Sequence, residues 1–105
     1  MAEKFKVTDP RGREITCSDE CWDGHVVKAK PRMAHQEGTV KGALEEPDGI
    51  AQDVDFRDRQ CYYKLLPHKK CYMKVVVELE NDHGKVITAF LADSPKRGEK
   101  FIWMP

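Results

Sequence analysis

Apolar and polar side chains alternate most cleanly between Cys71 and Ala92. Successive strand side chains point to opposite faces, which puts Met73, Val75, Val77 and Leu79 on one side and Tyr72, Lys74, Val76, Glu78 and Glu80 on the other. Asn81, Asp82, His83 and Gly84 interrupt the alternation with turn-favouring residues, the glycine being free to take a positive φ, and the pattern predicts a β-hairpin. On the returning arm Ile87, Ala89 and Leu91 form the purely apolar set, leaving Val86, Thr88 and Phe90 opposite. Matching the apolar faces predicts Val77 across from Ile87 and Val76 across from Thr88, because a slip of one residue would turn the valines to water. Thr88 then lies beside Lys74, away from the core.

The rest of the chain supplies shorter elements. Phe5 and Val7, then Glu14 to Thr16, flank the turn-rich Asp9-Pro10-Arg11-Gly12, predicting a leading hairpin over 4–16. Ser18 offers a helix N-cap with Asp19 and Glu20 in the first turn, and Trp22, Val26 and Ala29 repeat at helical spacing. Pro31 stops that helix by biasing Lys30 away from helical angles. A second helix is predicted from Met33 to Glu45 through Val40, Ala43 and Leu44, weakened by Gly38 and Gly42. Ile50 to Val54 and Cys61 to Leu66 read as strands, and Phe101 to Trp103 as a final extended anchor, so the sheet is predicted over 49–103. The expected fold class is α+β, with two N-terminal helices, within 18–45, packed on a curved antiparallel sheet.

Composition narrows the class further. The 105 residues suit one domain with its own core, residues 1–105, and 18 basic against 18 acidic residues leave no net field to drive bulk binding of nucleic acid. Met1 to Val7 has no apolar run, and no stretch approaches a membrane-spanning length, so the expectation is a cytoplasmic protein with no membrane partner. Cys17, Cys21, Cys61 and Cys71 are then expected as free thiols. Their spacing lacks the tight pairs of structural zinc sites, so no metal and no other cofactor is expected.

An ordered set of short motifs runs through the chain: Trp22-x-x-His25, Lys30-Pro31-x-Met33, Pro47-Asp48-x-Ile50, Tyr62-Tyr63-Lys64 and Val86-Ile87-Thr88-Ala89-Phe90. The set resembles a phage-associated domain family grouped with barnase, EndoU, colicin and RelE-like ribonucleases, and the resemblance covers about Thr8 to Trp103. It implies a compact α+β ribonuclease-like domain in a toxin or mobile-element setting. Members of that family carry a histidine, a proline and an acidic residue after the first helix, where this chain has Lys30, Pro31 and Arg32, so His25 is left as the matching imidazole.

Metal-independent RNA cleavage needs a base for the 2′-hydroxyl proton, an acid for the leaving oxygen and donors for the charge building on phosphate. An imidazole can act as base or acid near neutral pH, which makes His25 the candidate. Lys64 and Thr88 complete the expected catalytic set, and Lys30, Arg32, Tyr62 and Lys74 the expected substrate-binding set. The plainer readings are a packed histidine beside the core residue Trp22, a strand-forming threonine, solvated histidines at His35, His68 and His83, and a solvated loop at Lys96, Arg97 and Lys100. Two function classes follow. One is a small ribonuclease acting on RNA, for which His25, Lys64 and Thr88 converge on one cleft. The other is an inactive ribonuclease-like fold that binds a partner protein, an antitoxin or a phage-particle protein, for which they scatter and an apolar patch is exposed elsewhere.

Overall fold

The computed structural model describes residues 2–105. Strands β1 (Glu3–Thr8) and β2 (Glu14–Ser18) form the leading hairpin. Helix α1 opens at Asp19–Cys21 and winds on as a π-helix over Trp22–Val27. Ser18 caps it, its hydroxyl accepting the Cys21 N–H at 3.0 Å. Lys30 leaves the helix at φ −137°, and a 3₁₀ segment, Pro31–His35, leads into α2 (Glu37–Glu45). Five strands follow: β3 (Gly49–Gln52), β4 (Arg59–Leu66), β5 (Cys71–Glu80), β6 (His83–Ala92) and β7 (Lys100–Trp103).

The class is α+β, but the finer expectation needs correction. All seven strands belong to one sheet of order β1-β2-β6-β5-β4-β3-β7, which dominates the molecule. The sheet is mixed rather than antiparallel throughout, because β2 runs parallel to β6, Ile15 facing Gly84. The leading hairpin is therefore part of the sheet, and the helical segments form the crossover from β2 to β3. The second helix expected from Met33 is also split. Gly38 and Gly42 fall inside α2, while Met33 belongs to the 3₁₀ turn and reaches the core from there.

The helices cover one face of the sheet, called inner below. Trp22, Val26, Met33, Val40 and Leu44 pack there on Ile15, Ile50, Met73, Val75 and Val77, all nearly or wholly buried. Fully burying such a side chain is worth roughly 1.5–3 kcal/mol, which makes this layer the main source of stability. The outer face carries a smaller cluster of Ala51, Cys61, Tyr63 and Val76, with Tyr72 and Ile87 against it. No helix covers it. The segments 53–58 and 93–99 fold over part of it instead.

The central hairpin confirms its core-facing valines and corrects its register. Val76 faces Thr88 as expected, but Val77 faces Val86, so Ile87 is an extra residue in a β-bulge. The bulge turns Val86 inward, 3% exposed, and sends Ile87 to the outer cluster, the reverse of the predicted assignment. Leu91, expected in the core, is 42% exposed at the rim. The left-handed turn residue is Asn81, at φ 57°, not Gly84. Gly84 lies buried in β6, where a Cβ would sit 2.6 Å from Val77 Cγ1, so its role is to let the two strands close.

Asp9 ties the leading hairpin across the inner face. Its buried carboxylate accepts the N–H groups of Arg11 and Arg13, each at 2.9 Å, and the Tyr62 hydroxyl at 2.6 Å. Arg11 Nη2 donates to Gln60 Oε1 at 2.7 Å and to the Tyr62 hydroxyl at 2.9 Å.

Candidate functional site

His25 is exposed on the π-helical turn. Wide turns of this kind often mark functional positions, since they re-aim side chains that a regular α-helix would direct elsewhere. The turn flanks β6, with the Cys21 thiol donating to the carbonyl of Val86 at 3.0 Å. Ser18, Asp19, Glu20, Cys21, Asp23, Gly24 and His25 line a shallow concavity here. Its carboxylates at Asp19, Glu20 and Asp23 make this concavity unfavourable for an anion, while Lys30 and Arg32 follow His25 in the chain. Both of those cations are exposed and form no ion pair among the described residues.

The other expected residues separate. Lys64 faces Met73 and Thr88 faces Val76, and neighbouring positions on β5 point to opposite faces, so Lys64 and Thr88 leave the sheet on opposite sides. One cleft holding His25, Lys64 and Thr88 together does not form. Thr88 is half-buried on the outer face, and Lys64 ends 4.0 Å from Asp48. Tyr62, expected to touch substrate, is fully buried in the Asp9 network. Burial first, and then the Asp9 carboxylate, push its hydroxyl well above the ordinary range, so it serves as a structural donor.

Lys74 is on the expected face but is not a free cation. Its ammonium lies 3.1 Å from Glu99 Oε2, with side-chain exposures of 8% and 0%, and over the rings of Tyr63 and Phe90. The Tyr63 hydroxyl donates to the other Glu99 oxygen, which also accepts the Lys96 N–H at 2.9 Å. Burial penalises the Glu99 charge, but the hydrogen bonds from Tyr63, Cys61 and Lys74 outweigh it and hold the carboxyl below its ordinary value. Glu99 thereby pins the 93–99 segment to the outer face.

Asp53, Cys61 and Glu99 bring ligand-type atoms within 4.8 Å of one another beside this pair. Asp53 already accepts the N–H groups of Asp55 at 2.9 Å and Phe56 at 2.8 Å, and Glu99 already holds Lys74. Burial, followed by Glu99, pushes the Cys61 thiol up to about 12, which disfavours the thiolate a metal requires. The cluster is self-satisfied as a hydrogen-bonded network. All four cysteines are free thiols.

What remains open is the outer face towards β7. Asp48, Gly49, Tyr63, Leu65, Tyr72, Pro95, Phe101 and Met104 line a largely apolar pocket of ≈390 Å³ there. Sequence reading took Phe101 only as an anchor and missed Glu99 entirely. Phe101 was findable as an apolar residue on a terminal strand, whereas Glu99 sits in a charged loop with no local pattern to single it out. No helix of the chain is long and apolar enough to cross a membrane. No family model, curated protein or solved structure matches the chain.

Proposed function

We propose that this chain is a ribonuclease-like domain that engages single-stranded RNA on the outer face of its sheet and cleaves it without a metal, His25 acting as acid or base. The observation that carries the reading is the outer face itself. It has no helical cover, and it carries Tyr72, Phe90 and Phe101 beside a loop with Lys96 and Arg97. Aromatic rings on an open sheet with cations alongside can stack bases while holding the backbone. In the reaction the 2′-oxygen attacks phosphorus, the 2′-hydroxyl proton passes to a base, and the 5′-oxygen leaves with a proton from an acid, giving a 2′,3′-cyclic phosphate. His25, on the helical layer, supplies one of these transfers and Lys30 and Arg32 the charge complement, while Thr88, half-buried on the outer face, takes no part in the chemical step. Lys64 and Tyr62 are left out of the chemical step, one directed to the inner side and the other locked in the core.

The test is cleavage of single-stranded RNA in EDTA by the wild type, His25→Ala and Thr88→Val. The expected result is a loss of about two to four orders of magnitude for His25→Ala and no loss for Thr88→Val, both with unchanged melting. Cleavage by His25→Ala at the wild-type rate, or none by the wild type, overturns the enzyme reading. A second reading, a module that binds an antitoxin or phage-particle protein, is favoured by Phe101, Ile102 and Met104, which are 41%, 49% and 65% exposed on and beside the edge strand β7.

A further inference from the structure

The pocket beside β7 is built from rings at defined angles. Tyr63 forms its buried floor, 1% exposed, its hydroxyl fixed by Glu99. Tyr72 stands edge-on to it, with centroids 5.9 Å apart at 87°, and Phe101 leans in from β7 at 5.8 Å and 56°. Gly49 makes room for Phe101, since a Cβ there would lie 2.6 Å from the ring. Tyr72 is half-buried and Phe101 41% exposed, so both present ring surface to a ligand that enters between them.

The polar groups at the rim are few and oriented. Asp48 Oδ2 accepts the Leu65 N–H at 2.7 Å, which fixes the carboxylate, while Oδ1 meets only the Lys64 ammonium, at 4.0 Å. Oδ1 thus keeps an acceptor site for a donor inside the pocket. Arg97, in the loop that follows the pocket residue Pro95, forms no ion pair among the described residues.

We propose that this pocket binds one unpaired nucleobase carrying an exocyclic amino group, stacked against Phe101 and Tyr72, with Asp48 accepting from the amino group and a flanking phosphate facing Arg97. The proposal rests on the RNA reading above and adds to it a base subsite removed from His25. A carboxylate accepts from the cytosine amino group and finds no such donor on uracil, which offers a carbonyl at that position. The slot therefore discriminates between these two pyrimidines, whose ring faces stack alike.

The experiment is fluorescence anisotropy with labelled 2′-O-methyl oligocytidine and oligouridine, which lack the free 2′-hydroxyl and are not consumed. The wild type is expected to bind oligocytidine more tightly than oligouridine. Phe101→Ala is expected to weaken oligocytidine binding roughly tenfold, the scale of one lost stacking contact. Asp48→Asn, which keeps an oxygen for the Leu65 N–H, is expected to erase the preference for cytidine. Wild-type affinity in Phe101→Ala, or equal affinity of the wild type for both oligonucleotides, overturns the base subsite and leaves the RNA reading standing. No binding of either oligonucleotide by the wild type, together with no cleavage in EDTA, overturns both.

Discussion

Removing the Glu99 charge tests whether the outer face is held by its buried ion pair. In Glu99→Gln the amide oxygen still accepts from Tyr63 and Lys96, so the substitution isolates the charge while Lys74 stays buried without its counter-ion. Breaking one side of a buried pair costs about 3–5 kcal/mol. The rings of Tyr63 and Phe90, 5.4 and 5.7 Å from the ammonium, offset part of this, by about 1 kcal/mol. The expected cost is therefore about 2–4 kcal/mol, a large share of the roughly 5–15 kcal/mol that holds a domain of this size together. Lys74→Met should cost a similar amount by stranding Glu99. The double variant, left with no buried charge, should lie within about 1–2 kcal/mol of wild type. Urea unfolding at pH 7, followed by the fluorescence of Trp22 and Trp103, measures all three. Single costs below about 1 kcal/mol, the scale of an exposed pair, or a double variant equal to the sum of the singles, would refute the reasoning.

Three further outcomes are expected. Gly84→Ala should destabilise by about 1–3 kcal/mol, since the added methyl meets Val77, Leu79 and the Glu78 carbonyl; a neutral result in the same urea assay would show that the β5–β6 pair can spread. The Glu99 carboxyl is held below its ordinary value in the folded state, so its contribution is complete above about pH 4.5 and fades as pH falls through the lower folded value; acid unfolding of the wild type should begin in that window, and Glu99→Gln should show a shallower pH dependence there. The Cys21 thiol, lowered by its neighbour Cys17 and the one cysteine that is not fully buried, should be alkylated first in the native protein, with Cys17, Cys61 and Cys71 labelled only on unfolding; peptide mapping that finds one of those modified first would count against the described packing.

Most of the local structure was legible because its causes are local. Ser18, Pro31 and the Asp9-Pro10-Arg11-Gly12 turn announce themselves by side-chain chemistry, and the alternation through Met73 to Leu79 assigns the core face directly. What escaped depends on distant partners. The bulge at Ile87 satisfies Val86 and Ala89 on the inner side while keeping Thr88 outside, a compromise that one strand's pattern does not encode. The parallel joining of β2 to β6 pairs residues far apart in the chain, with no motif to mark it. At the candidate site the helical position of His25 was readable, but its exposure was not, because it falls at the edge of the apolar stripe. The opposite orientations of Lys64 and Thr88 required the register of β4 on β5 and of β5 on β6 taken together. Tyr62 looked available until Asp9, from the other end of the sheet, was seen to hold its hydroxyl.

The parallel pair also sets an order on the life of the nascent chain. Strands β3 to β6 can pair each with the next as they are made, but β2 has no neighbour beyond β1 until His83, Gly84 and Lys85 exist. Phe5, Val7, Ile15 and Trp22 therefore leave the ribosome well before the surface that buries them. During that interval the first third of the chain is an amphipathic fragment awaiting its sheet, open to chaperones and proteases, and folding commits only when translation has passed the β5–β6 turn.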